Sequence, residues 1–239
     1  MRKTFQSSSS RLLPALLVIA TLTACGKHEE NSATSAPPPA PNAEQSAAAQ
    51  AQEDAASTAK CEGNPLTKAM PPQTTIDGLP FRLWSCTFNS VRAVYGKEGG
   101  KQVDISITDT RSPDIDKQPA MQDFYHRTFD TQRSMTQFSV QMLVSTIDAA
   151  KSHPDTLNTV GGPDYAPIAV PSPTGDPMLI HVGAQTDITP VEVVALFKDR
   201  HVLTMQASDK DGAITSLTGP KAQALFQPFI QQIHPELLP

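Results

Sequence analysis

The chain has 239 residues, 38% hydrophobic and 18% charged, with 22 prolines and a formal net charge of −5. That composition fits a globular domain joined to some non-globular sequence, and the proline content excludes a compact all-helical fold. Acidic residues outnumber basic ones 24 to 19 and no basic run of five occurs, so the clustered Lys/Arg that phosphate binding requires is missing and nucleic acid is not an expected partner.

At the N-terminus Arg2, Lys3 and Arg11 precede the apolar run LLPALLVIATL, which ends directly in Thr23, Ala24 and Cys25. The run is about half the ~20 residues needed to span a bilayer, so it reads as a cleaved secretory leader. Leu22-Thr23-Ala24-Cys25 resembles the lipobox of bacterial lipoproteins, a likeness that covers residues 1–26 only. The resemblance implies a signal peptide over residues 1–24, diacylglyceryl transfer to the Cys25 thiol, cleavage before Cys25, and acylation of the new amine, with palmitate among the chains. A thiolate is the best alkylation nucleophile in the chain, and several acyl chains anchor stably where one would be marginal. Gly26 stands where an Asp would signal inner-membrane retention, so the resemblance implies the outer membrane of a Gram-negative envelope, with the folded part facing the periplasm. An ordinary signal peptide with an incidental cysteine is the alternative. Removal of the leader would leave 16 basic against 24 acidic residues.

Residues 26–65 contain no Val, Ile, Leu, Met, Phe, Tyr or Trp. Such a segment cannot bury enough apolar surface to offset the entropy of ordering, and residues 25–60 are expected to form a lipidated, disordered Ala/Pro/Ser/Gln-rich tether. The stretch AEQSAAAQAQEDAA within it is built from helix formers, so transient helix is expected there, with little packing from alanine alone.

The folded domain is expected over residues 61–239. With Cys25 assigned to lipid, Cys61 and Cys86 remain as a pair, and in an oxidising compartment they are expected to form a structural disulfide, worth roughly 3–4 kcal/mol in the chain-entropy picture. No C-x-x-C points to redox chemistry.

Hydrophobic periodicity within the domain is mostly of period two. SVRAVYG and QVDISITDT form a hairpin across KEGGK, APIAVP and PMLIHVG are strands joined by SPTGD, and VEVVALF and HVLTMQAS form a second hairpin around Lys198-Asp199-Arg200. Prolines 167, 171 and 177 suit sheet edges or strand ends. One helix begins near Pro119 with Met121, Phe124, Tyr125 and Phe129 as its apolar face. A second is capped by Thr218, starts with Pro220, and carries Leu225, Phe226, Phe229, Ile230 and Ile233, with Pro228 expected to kink it. TQFSVQMLVST fits either a strand (Phe138, Val140, Met142, Val144) or a helix (Met135, Phe138, Met142). The order of elements predicts an α+β fold, an antiparallel sheet with two or more helices packed on it.

Chemical motifs are sparse. The histidines are scattered, with no H-E-x-x-H and no Cys/His cluster, so no metal site and no cofactor is expected. The acidic stretch holding Asp104, Asp109, Asp114 and Asp116 lacks the spacing, glycine and terminal Glu of a calcium loop. No G-x-S-x-G occurs, and the S-x-x-K of Ser57 to Lys60 falls in the expected tether. Two residues stand out as interaction candidates. Trp84, beside Cys86, reads as packing on the disulfide or as an exposed aromatic anchor, and His181 interrupts an apolar strand, where it reads as a satisfied sheet histidine or as a functional one. No catalytic residues are assigned. The expected function is a membrane-anchored, non-catalytic binding module, in its specific form an inhibitor or immunity protein for a cell-wall-directed enzyme. A small-ligand carrier and an envelope hydrolase with a dispersed site are the alternatives.

Overall fold

The structure is a computed structural model, and it describes residues 43–155, 161–182 and 190–239. The leader, the lipobox with Cys25 and the first part of the expected tether lie outside the described residues.

The domain is built on one antiparallel sheet. Its strands are β1 (Phe81–Cys86), β2 (Ser90–Gly96), β3 (Gln102–Asp109), β4 (Ile168–Val170), β5 (Met178–His181), β6 (Glu192–Phe197), β7 (His201–Asp209) and the short β8 (Gly212–Ala213), in the order β1-β2-β3-β7-β6-β5-β4 with β8 on β7. The expected hairpins form as read, and Pro167 and Pro171 bracket the edge strand β4, where a missing N–H costs no ladder bond. Lys198 and Asp199 both take left-handed backbone conformations (φ 54° and 49°) to turn β6 into β7, the geometry that matches strand twist in a tight hairpin. Gly96, ending β2 at φ 108°, lies where a Cβ would come within 2.1 Å of the Lys101 carbonyl oxygen. Only glycine fits there.

Alternation gives the sheet two unlike faces. On one, Val91, Ala93, Tyr95, Val103, Ile105, Ile107, Val193, Leu203 and Met205 are buried against α3 (Gly219–Ile230), whose Ala222, Leu225, Phe226, Phe229 and Ile230 supply the opposite side of the main core. Thr218 takes the N-cap position without a side-chain hydrogen bond, and the helix runs only two residues past Pro228. Tyr95 is fully buried, lies edge-on to Phe229 at 5.1 Å, and donates to the carbonyls of Pro71 and Pro72 at 3.0 and 2.9 Å. Burial pushes its phenol pKa up.

The other face is covered in part by α2 (Gln122–Ser152), a helix of 31 residues into which the ambiguous TQFSVQMLVST falls. Val140 packs on Leu179 and Val194, with Leu143, Val144 and Ile147 beside them. Over β2 and β3 this face carries polar side chains, Arg92 donating from Nε to Asp104 at 2.7 Å.

A third helix, α1 (Ala43–Ala59), starts well before residue 61, where the sequence placed the edge of the folded part. It packs on β1 through polar contacts. Asp54, buried, accepts from Gln50 (2.9 Å) and from Arg82 Nε (2.8 Å), while Thr58 Oγ1 accepts the backbone N–H of Trp84 at 2.9 Å. This last bond satisfies a donor on the free edge of β1, so α1 shields an edge strand that would otherwise invite pairing. Alanine periodicity could not announce the docking, because hydrogen bonds and one ion pair hold the helix while almost no apolar side chain does.

Candidate functional site

The side chains singled out from sequence do not converge. Cys61 and Cys86 form a disulfide with Cα atoms 5.3 Å apart, tying the end of α1 to β1. Trp84 is half-buried on the main-core face of β1, edge-on to Phe81 at 6.0 Å, with its Nε1 buried and unpartnered. It is a packing residue there, not an exposed anchor. His181 ends β5 on the opposite face, directly across from Glu192 in the β5–β6 register. Four strands lie between β1 and β5 in the sheet order, so Trp84 and His181 share neither a face nor a neighbourhood.

The acidic residues of the β3 region are engaged in ion pairs and hydrogen bonds. Asp109, buried, holds Arg200 through both oxygens (Nε–Oδ1 2.8 Å, Nη2–Oδ2 2.6 Å), and its Oδ1 accepts the Arg111 N–H at 3.0 Å. This bidentate partner holds the Arg200 guanidinium pKa up. Asp114 pairs with Lys117, and Asp116 accepts from Gln122 at 2.8 Å and meets His126 at 3.0 Å, contacts that keep its carboxyl below the usual range. Among the described residues no group of three or more His, Cys, Asp or Glu side chains is placed to hold a metal ion.

His201 is fully buried at the start of β7, its Nε2 4.0 Å from Asp109 Oδ2 and neither ring nitrogen hydrogen-bonded. Burial pushes its pKa down to about 4; the Asp109 carboxylate opposes the shift, and Arg200 and Lys198 add to it. The ring is therefore neutral at physiological pH and acts as a filled core position.

Two clefts flank the β1 end of the sheet. A shallow groove of about 990 Å³ runs between α1 and the β2–β3 turn, with the Asp54–Arg82 pair and Glu98 on its walls, and a second of about 450 Å³ lies beside Asp109 and Arg200. In the first, Arg82 is held by Asp54 and Glu98, and in the second, Arg200 is held by Asp109. The two apolar helices α2 and α3 lie on opposite faces of the sheet and share no pocket among the described residues.

The feature without a partner is on α2. Met121 at its N-cap, then Phe124, Met135, Phe138 and Met142 are 44%, 54%, 66%, 64% and 55% exposed, while only Thr136 and Val140 of the helix are buried. The apolar face expected from Met121, Phe124, Tyr125 and Phe129 divides in two. Tyr125 and Phe129 turn inward to Phe88 with ring centroids 5.1 and 6.2 Å apart, and Met121 and Phe124 turn outward. Thr128 and Thr131, also exposed, complete a row at positions 121, 124, 128, 131, 135, 138 and 142, the alternating 3-4 spacing of a coiled-coil seam. Its signal was present in the sequence, in the helical spacing of Met135, Phe138 and Met142. The period-two pattern that Phe138 and Met142 make with Val140 and Val144, which pack inward, obscured it.

No family model, no curated protein and no solved structure matches the chain.

Proposed function

We propose that the protein is a bacterial envelope lipoprotein, held by lipid on Cys25 at the outer membrane, whose folded domain works in the periplasm as a non-catalytic interaction module. The carrying observation is the exposed row on α2. Monomeric proteins rarely leave large contiguous apolar patches in water, and those that do use them for binding. The lipobox resemblance supports the anchor, and a disulfide between the other two cysteines, Cys61 and Cys86, suits an oxidising compartment. Over residues 134–147 α2 carries no charged side chain, so the C-terminal part of the row suits an apolar partner surface.

Two measurements test the two halves. Metabolic labelling with an alkyne fatty-acid analogue should mark the chain, and Cys25→Ala should abolish the mark; unchanged labelling of the variant would sink the anchor. A benzophenone side chain installed at Phe138 should, on irradiation in intact cells, yield a discrete adduct absent when the same group replaces exposed Lys117. The absence of any adduct from positions 124, 135, 138 and 142 would sink the interaction module.

A further inference from the structure

The occupant of the α2 row can be identified from its area, its charge and its spacing. Resting on the reading above that this row is a binding surface, we infer that the partner is a second copy of this chain, joined through an antiparallel pairing of two α2 helices.

Area comes first. The row from Met121 to Met142 is about 32 Å long at 1.5 Å per residue. Five large side chains, 44% to 66% exposed, each leave on the order of 100 Å² free. Two copies meeting along this line, with the intervening Thr, Ser and Gln, would bury roughly 1,000–1,400 Å², which reaches the size of a specific interface.

Charge comes second. Residues 134–147 contain no Asp, Glu, Lys, Arg or His. Of the flanking charges, Arg133 pairs with Asp130 at 2.9 Å and Lys151 with Asp148 at 3.4 Å, while Arg127 Nε donates to the Asp123 backbone carbonyl at 3.1 Å. An interfacial membrane helix is rich in Lys and Arg on its polar face to reach lipid headgroups, and α2 carries only Arg127, Arg133 and Lys151, with none over residues 134–147. The row itself is made of Met, Phe and Thr only, and its half over residues 134–142 offers no like charge to oppose a second copy.

Spacing decides the orientation. A two-fold axis near position 133 sets Phe124 against Met142 of the other copy, Thr128 against Phe138, and Thr131 against Met135. Each layer then joins a large side chain to a smaller or more pliant one, with methionine sulfur meeting a ring at the outer layers. A parallel pairing would stack Phe138 on Phe138 and Thr128 on Thr128, leaving two small layers at Thr128 and Thr131 between crowded ones. Antiparallel helices also oppose their macrodipoles favourably.

The benzophenone at position 138 reports on this in the full chain in its own envelope. The expected product has twice the chain's mass, and its cross-linked peptide joins position 138 to the neighbourhood of Thr128. Combining the probe at position 124 with Phe138→Glu should reduce dimer adducts at least tenfold without shifting the thermal midpoint of the domain measured at a dilution where it is monomeric. A heterologous protein as the sole adduct would overturn the second copy while leaving the interaction module standing, and lipid adducts alone would overturn it in favour of a membrane face. No adduct at all removes both. A dimer adduct unaffected by Phe138→Glu, or one joining position 138 only to residues 135–142, would overturn the antiparallel pairing.

Discussion

α3 and α2 both lie against the sheet, on opposite faces, and they dispose of their apolar residues in opposite ways. Half of α3's twelve residues are buried, whereas of the 31 in α2 only Thr136 and Val140 are. A short helix so fully engaged is part of the core, which it shares with Leu66, Met70, Ile76 and Leu238 on the same face of the sheet. The longer helix needs only a few side chains to hold it in place. The remainder of its apolar content contributes little to folding of the single chain, and the sequence carries it at some risk of aggregation. The difference separates residues that make the domain from residues the domain presents.

The contrast can be broken most directly at Phe226, fully buried in α3. Phe226→Ala should lower unfolding free energy by about 3–5 kcal/mol, the loss of a buried ring plus the cavity left behind; a urea midpoint within error of the parent chain would show that α3 is not the core helix described. The next effect belongs to pH. His201, on the α3 face, has a folded pKa of about 4 against about 6.5 when unfolded. A base with a depressed folded pKa binds fewer protons in the folded state, so its contribution is complete above about pH 6.5 and is lost as pH falls towards 4. The loss should reach about 2 kcal/mol. Urea unfolding at pH 7, 5.5 and 4.5 should therefore show a steeper acid decline for the parent chain than for His201→Leu, and parallel curves would refute the buried neutral ring.

Smaller effects sharpen the α2 side. Val140, 8% exposed and packed on Leu179 and Val194, is the anchor of that helix; Val140→Ala should cost about 1–2 kcal/mol and speed amide exchange along α2 before it does so in α3. Phe138→Ala, at a ring 64% exposed, should change the stability of the dilute single chain by less than about 0.5 kcal/mol. A loss as large as that from Phe226→Ala would mean the row is covered within the chain itself.

These pairs also show where sequence reading holds. The strands around QVDISITDT and VEVVALF were legible because alternation is a local property of a chain with one buried face. The helix carrying Leu225, Phe226, Phe229 and Ile230 was legible for the same reason at a different period, although it ends at Ile230 and leaves Ile233, expected on it, in the turn beyond. α2 was only half legible, since one stretch carried inward residues Val140 and Val144 and outward residues Met135, Phe138 and Met142, and both periods fit it. The docking of α1 was not legible at all. It depends on Asp54 meeting Arg82 and Thr58 meeting the Trp84 N–H, contacts 28 and 26 residues apart that no periodicity encodes.

By itself the sequence determined the α+β class, the hairpins and the Cys61–Cys86 pair, because each follows from local spacing or from counting what is left to pair. Which apolar residues fill the core and which remain at the surface was decided only by tertiary structure. A hydrophobic side chain in a helix states that it prefers to leave water; the sheet's width and the placement of α2 across only part of one face decide whether this chain offers it a place to go.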